Sequence, residues 1–375
     1  MVQKLNVGII GCGNVSKVSH IRWYEKNLHV NSIFISDPLE EQLKECQERW
    51  RIERAYTSTE EMLKREELDV ISVCSHIQWH CEHTIAAAES GVKAILCEKP
   101  MAPTLEECDE MIDVCKRNGV KLQIGFMKRF NPGHQNIKRL ISEGEIGKVY
   151  LAWAYWGFGG LQFTSDQWER RLMSRPLSRR GRLLEHGGMV MDHGCHYSDI
   201  FRWWIGEVKS VRAEVSPFVL AMLRFENGAM GVFADNTLWS GGGLSEGGYL
   251  CGTDGTIEFH VPPWISFESA EIHVKKGQIT KNIVPRYVGE DKEWLASYID
   301  FDNYMFKREI DAFIKCVIDD SDPLVKGEDG RAAVEVPLAI LQSADEQKPV
   351  NLPLQKSPNV PEIVQRIRAC PLSFS

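Results

Sequence analysis

The stretch Leu5-Asn6-Val7-Gly8-Ile9-Ile10-Gly11-Cys12-Gly13-Asn14-Val15-Ser16 decides the fold of the N-terminal part of the chain. An apolar strand candidate, Leu5 to Ile10, runs into a G-x-G-x-x-G/A fingerprint with Ser16 at its third small position. In such a turn the first glycine permits the tight bend and the second lets a pyrophosphate approach the backbone. The following helix N-terminus supplies amides and the positive end of a dipole. Asp37 ends the next strand candidate, Val30 to Ser36, where a carboxylate accepts hydrogen bonds from the ribose hydroxyls of a dinucleotide. No arginine adjoins Asp37 to take a 2′-phosphate, so NAD is favoured over NADP. Gly11, Gly13, Asn14, Val15 and Asp37 are the first cofactor-binding candidates.

Outward from this motif, short β-branched runs at Val70 to Cys74, Ala94 to Cys97 and Leu122 to Gly125 alternate with amphipathic stretches of about a dozen residues. This is the βαβ rhythm of a doubly wound parallel sheet in an α/β Rossmann domain. Ser58 with Glu61 and Thr104 with Glu107 form capping boxes, and Gly91 and Gly119 stand where helices end. Beyond Pro132 the rhythm changes. A helix is expected at Pro132 to Glu143, a strand at Val149 to Tyr155, and a helix near Met189 to Trp204. Strand-like runs follow at Val208 to Glu214, Val219 to Phe225, Ala229 to Asn236 and Thr256 to Val261, with turn signals at Asn227-Gly228 and Asp254-Gly255. Their short links favour an open, largely antiparallel sheet in a C-terminal α+β domain. Gly241 to Gly248 reads as a flexible loop, and late helices are expected around Asn303 to Asp319 and Arg331 to Gln347. The expected division is 1–125 for cofactor and 126–375 for substrate and oligomerisation.

The chain has 375 residues, 43% of them apolar, and a formal net charge of −8, which argues against nucleic acid and anionic membrane as partners. A small-molecule substrate is expected. The 11 cysteines are scattered, with no C-x-x-C pair, and read as free thiols in a reducing cytoplasm. No apolar run approaches the roughly 20 residues that span a bilayer, and Val7 to Cys12 lacks the length of a signal peptide.

Two further motifs carry chemistry. Cys97-Glu98-Lys99-Pro100 ends a strand candidate, and ligands bind outside the carboxyl ends of strands in an open α/β sheet, so Lys99 is directed toward the cofactor edge. In His186-Gly187-Gly188-Met189-Val190-Met191-Asp192-His193-Gly194-Cys195-His196, Asp192 and His196 lie four apart on one helical face. A carboxylate there orients an imidazole or shares a substrate hydroxyl with it. His186, Asp192, His193 and His196 are also metal-ligand types, but His193 points about 100° round the helix from Asp192, and no metal is expected.

Together these motifs resemble the Gfo/Idh/MocA family of nicotinamide-dependent sugar and polyol oxidoreductases. The resemblance extends to Cys74-Ser75-His76 through His80, to Gly125-Phe126-Met127-Lys128-Arg129-Phe130 before Pro132, and to Gly-Gly-x-x-x-Asp-x-Gly-x-His at Gly187 to His196. It implies Lys99, Asp192 and His196 as the catalytic set. Ser75, His76, His80 and Met127 match cofactor-lining positions, with Glu98 and Lys99 counted among them and Arg129 among the substrate-binding residues. It also implies a homodimer or homotetramer built through the C-terminal sheet.

The segment from Gly157 to Leu183 departs from the family pattern. It holds six arginines, at 170, 171, 175, 179, 180 and 182, suited to a carboxylate or phosphate or to a solvated loop. Trp153, Tyr155, Trp156, Phe158 and Trp168 suggest an aromatic wall for a sugar ring, with Trp153 and Tyr155 as substrate-binding candidates. The leading function is an NAD-dependent dehydrogenase of a ring hydroxyl on a cyclitol, monosaccharide or glycoside. The alternatives are a glycosidase that oxidises its substrate transiently and a non-catalytic nicotinamide-binding regulator.

Overall fold

A computed structural model describes residues 4–159, 186–215, 218–236, 243–260, 271–283 and 304–368. The arginine-rich stretch and Trp168 lie outside the described residues. The chain divides into two units, Met1–Phe130 with Asn303–Val334 and Asn131–Asp302 with Glu335–Ser375.

The first unit is built on a six-stranded parallel sheet: β1 (Leu5–Ile10), β2 (Val30–Ser36), β3 (Ala55–Tyr56), β4 (Val70–Val73), β5 (Ala94–Glu98) and β6 (Lys121–Gly125). The spatial order is β3-β2-β1-β4-β5-β6, and it reverses direction between β1 and β4, the point where such sheets bind ligand. Among these strands lie the helices α1 (Arg22–Lys26), α2 (Glu40–Trp50), α3 (Thr59–Arg65), α4 (His80–Glu89) and α5 (Leu105–Arg117). Both expected capping residues act: Ser58 Oγ and Thr104 Oγ1 each accept the backbone N–H three residues on, at 3.2 Å. Gly91 and Gly119 take the positive φ expected after α4 and α5. Between β1 and α1, Ser16–Ile21 forms a turn of π-helix.

The sequence division placed everything after residue 125 with the second domain, whereas Asn303–Val334 joins the first unit. The cause is pairing at long range. Ile124 N–H donates to the Val325 carbonyl at 3.1 Å, Arg129 pairs with Asp329, and Arg331 pairs with Asp109.

The second unit opens with α6 (Pro132–Ser142), capped by Asn131, whose Oδ1 accepts the Gly133 N–H at 2.7 Å. Next come β7 (Val149–Gly159) and two short helices, α7 (Gly188–Asp192) and α8 (Gly194–Trp204). The expected single helix is thus broken at His193. The strands β8 (Val208–Val215), β9 (Phe218–Phe225), β10 (Met230–Asn236), β11 (Gly243–Gly252), β12 (Thr256–His260), β13 (Glu271–Lys276), β14 (Ile279–Ile283) and β15 (Val350–Asn351) complete a nine-stranded sheet. Its order is β14-β13-β12-β11-β7-β10-β9-β8-β15, antiparallel except where β7 and β10 run parallel.

The glycine run expected to be a loop is largely β11. A side chain at Gly248 would overlap the Trp153 carbonyl of β7, so glycine here admits close strand approach. Side chains alternate across the central strands β7, β9 and β10 of this sheet. Ala152, Ala154 and Trp156 of β7, with Phe233 and Asp235 of β10, are buried on the face against α8, while Trp153 points to the opposite, open face. Among the described residues no helix is long and apolar enough to cross a membrane.

Candidate active site

In the first unit, the glycine-rich turn is shaped by the strand beside it. Gly11 has φ +93°, and a β-carbon there would lie 2.8 Å from the Ser75 nitrogen, so only glycine lets the ends of β1 and β4 meet. Gly13 accepts the Lys17 N–H at 3.1 Å; Asn14 is exposed and Val15 leads into the π-helical turn. Asp37, one residue past β2, accepts the Cys12 N–H through Oδ2 at 2.8 Å and the Leu39 N–H through Oδ1 at 2.9 Å. Its carboxylate is therefore fixed against the turn that would cradle a pyrophosphate, and its remaining lone pairs suit ribose hydroxyls. The donor set fits a dinucleotide.

The other candidates of this unit divide into two kinds. Ser75 and His76 follow β4, and Lys99 follows β5, at the carboxyl edge of the sheet, half-buried. His80 is buried and bridges loops instead: Nδ1 lies 3.0 Å from the Pro100 carbonyl oxygen and Nε2 lies 3.0 Å from that of Ser75. Burial holds its pKa below the ordinary imidazole value. Glu98 also turns inward, since Oε1 meets His20 Nε2 at 2.9 Å and Oε2 accepts the Lys99 N–H at 3.1 Å. His20 Nδ1 lies 3.1 Å from Ser72 Oγ, which lies 2.7 Å from Tyr24 Oη. This buried chain, Tyr24-Ser72-His20-Glu98, joins the helical turn after the glycine motif to β5, the strand that Lys99 follows. Met127 is buried, and the Arg129 guanidinium faces Asp329 at 3.1 Å.

In the second unit, the break at His193 changes the expected relation of Asp192 to His196. The His196 N–H donates to His193 O at 3.0 Å, and the Asp192 carbonyl accepts the Cys195 thiol at 3.4 Å in place of a helical amide. Asp192 ends α7 and is partly exposed; His196 lies in the first turn of α8 and is buried. His193 Nε2 lies 3.9 Å from Asp192 Oδ2. His193 Nδ1 lies 3.0 Å from Oδ2 of the buried Asp235, and its ring stacks on Trp156 with centroids 4.0 Å apart and planes 17° from parallel.

The sheet register explains this cluster. Asp235 of β10 pairs with Trp156 of β7, which pairs with Glu246 of β11, so two buried acids flank one indole in a single row. Glu246 lies 3.5 Å from His134 Nε2 on α6, and burial pushes the Tyr197 hydroxyl pKa up, with Glu246 adding to the shift. Asp235 was missed by sequence reasoning because it sits in an otherwise ordinary strand, where the only signal was a carboxylate at an inward position of the alternation, and Glu246 because its glycine-rich segment reads as a loop. Trp153 and Tyr155, expected as substrate-binding aromatics, lie on the open face. There Trp153 stacks against Tyr249 at 5.7 Å, and the aromatic beside the helix is Trp156.

Residues 5–126 match the model of the oxidoreductase family with NAD-binding Rossmann fold, and residues 134–258 match the GFO/IDH/MocA C-terminal domain. The chain belongs to the Gfo/Idh/MocA family. Its first unit is an NAD-binding Rossmann domain. Similar proteins include a myo-inositol 2-dehydrogenase of Thermotoga maritima, 28% identical over 93% of this chain and 98% of that protein. An uncharacterised oxidoreductase of Bacillus subtilis is 30% identical over 68% of this chain and 74% of its own length. Among solved structures, a levoglucosan dehydrogenase in complex with NADH and levoglucosan shares the fold, with TM-score 0.80 and 22% identity over 94% of this chain and 100% of that one.

Proposed function

We propose that this protein is a dehydrogenase that oxidises a secondary ring hydroxyl of a sugar, cyclitol or glycoside with NAD. The observation that carries the reading is the first unit's cofactor edge, where the Gly11 turn, the fixed Asp37 carboxylate and Lys99 after β5 follow the ends of neighbouring strands. The similar proteins named for inositol and sugar oxidation supply the substrate class.

Bound NAD supplies a nicotinamide carbon that takes up hydride. The chain's own task is the proton. His196 is the proposed base for the hydroxyl proton, because an imidazole exchanges protons near neutrality. Lys99 is the proposed donor to negative charge developing on the substrate oxygen. Asp192 orients the reacting hydroxyl or the imidazole. The setting is cytoplasmic, in keeping with ten free thiols among the described residues. The open face of the nine-stranded sheet, where Leu220, Met222 and Met230 are 49%, 56% and 44% exposed, is proposed to join copies into a dimer or tetramer. Light scattering measures that state.

The test is a panel of myo-inositol, scyllo-inositol, common hexoses, sugar acids, levoglucosan and glucosides, read as absorbance of reduced cofactor with NAD and with NADP. Net accumulation of NADH with at least one ring alcohol is expected, and NAD is expected to be preferred because the Asp37 carboxylate would accept from the ribose hydroxyls and repel a 2′-phosphate. Glycoside cleavage without net NADH would instead identify the transient-oxidation glycosidase. No turnover with any member would contradict both.

A further inference from the structure

His80 is buried at the first residue of α4, and its ring lies between two backbone loops at the carboxyl edge of the parallel sheet. Nδ1 is 3.0 Å from the Pro100 carbonyl oxygen and 3.2 Å from that of Met101, in the loop that begins with Lys99. Nε2 is 3.0 Å from the Ser75 carbonyl oxygen, in the loop after β4. A carbonyl oxygen only accepts, so each contact is attractive when the facing nitrogen carries a proton, and the ring has at least one N–H in every protonation state. Two carbonyls converge on Nδ1 and one on Nε2. Nδ1 is therefore where a single proton gains most.

The two loops differ in what else holds them. Ser75 Oγ lies 2.9 Å from Nδ1 of His83, three residues along α4, and the Ser75 nitrogen stands 2.8 Å from the position of a Gly11 β-carbon, so that loop is also packed against the end of β1. Lys99 is half-buried, and its N–H is fixed by the Glu98 carboxylate. The carbonyls one and two residues further on face His80. We propose that His80 is a positioning residue for Lys99: its Nδ1–H ties the backbone that follows Lys99 to the first turn of a helix, and so sets where the ammonium stands. The inference rests on the proposed role of Lys99 and deepens it. Displacing a reacting group by about 1 Å costs on the order of 100-fold in rate, so the tie governs turnover rather than cofactor affinity.

The experiment uses a ring alcohol from the panel that reduces NAD, and reads kcat per NADH site, with the sites and their Kd obtained by fluorescence titration. The amide nitrogen of Asn takes the place of Nδ1, and that of Gln the place of Nε2. His80→Gln, which leaves the Pro100 carbonyl without its donor, should lower kcat per site about 10–100-fold with the NADH Kd within about 3-fold of wild type. His80→Asn, which keeps that donor, should recover most of the loss. A structural role alone would reduce the number of sites and leave kcat per site unmoved in both variants. That result, or equal losses of kcat in the two, would overturn the positioning role. Lys99→Ala separates it from the reading beneath: turnover that falls there and holds in His80→Gln would exclude His80 alone. Wild-type turnover in Lys99→Ala, or a wild type that reduces no cofactor, would remove both. Should His80→Gln not fold, nitrogen–proton correlation NMR of the wild-type imidazole decides. A proton on Nδ1 is expected, and a neutral ring with Nδ1 bare would overturn the proposal.

Discussion

Each unit of this molecule holds a carboxylate–imidazole pair at about 3 Å, and the two pairs differ in what remains of the ring. In the first unit His20 meets Glu98 with one nitrogen and Ser72 with the other, and both side chains are buried. In the second unit His193 meets Asp235 with Nδ1, and its Nε2 lies 3.9 Å from Asp192 Oδ2, beyond hydrogen-bond distance. An imidazole with both nitrogens engaged inside the protein serves the fold. One with a single nitrogen engaged is oriented and still able to act on something else. The same residue types at the same distance thus carry different roles, and the second ring nitrogen separates them.

The largest effect is expected one residue from the locked pair. Lys99→Ala should lower turnover by about 10²–10⁴-fold, because it removes a donor to the developing alkoxide. NADH affinity, followed by fluorescence titration, should hardly change. Wild-type turnover in this variant would remove Lys99 from the proposed chemistry.

The next test sets the pairs against each other by stability. His20→Phe leaves the Glu98 carboxylate buried without its partner, a loss of about 3–5 kcal/mol by analogy with broken buried ion pairs. The first unit's unfolding midpoint in urea should fall accordingly. His193→Phe retains the stack on Trp156 but likewise leaves a buried carboxylate, that of Asp235, without its imidazole, so a loss of the same order is expected in the second unit. A loss far below that of His20→Phe would show that the Asp235 carboxylate does not depend on its imidazole.

A smaller, pH-dependent effect concerns His80, whose ring lies between the Pro100 and Ser75 carbonyls. Burial lowers its folded pKa, so below the unfolded value near 6.5 the unfolded chain binds the extra proton first. The His80 contribution to stability is complete above that pH and is lost as pH falls from there toward the lowered folded value. Urea midpoints measured between pH 7.5 and 5 should show a decline that His80→Gln flattens. An unchanged slope in the variant would assign the acid sensitivity elsewhere.

How much was legible follows the same division between local and distant causes. β1 and β2 begin and end where β-branched runs and flanking turns place them, and Ser58, Thr104, Gly91 and Gly119 act as helix punctuation, because each depends on neighbours a few residues away. The two residues of β3 are too short to carry a period and exist only by pairing with β2. β11 was hidden because its glycines are required by the backbone of β7, about 95 residues away in the chain. The aromatic alternation in β7 was visible, but which face meets the helix is set by packing, so Trp153 and Tyr155 were chosen where Trp156 is the inward ring. Likewise the partner of His193 is 42 residues distant, and the helix break at His193, where the Cys195 thiol donates to the Asp192 carbonyl, has no sequence period to announce it.

The central claim is that hydride leaves a ring carbon of the substrate for the cofactor. It is tested most directly with a ring alcohol from the panel deuterated at its ring carbons, incubated with the protein and NAD and examined by mass spectrometry. Deuterium in the reduced cofactor, equimolar with a ring ketone, is the expected result; unlabelled NADH, or ketone without labelled cofactor, would contradict it.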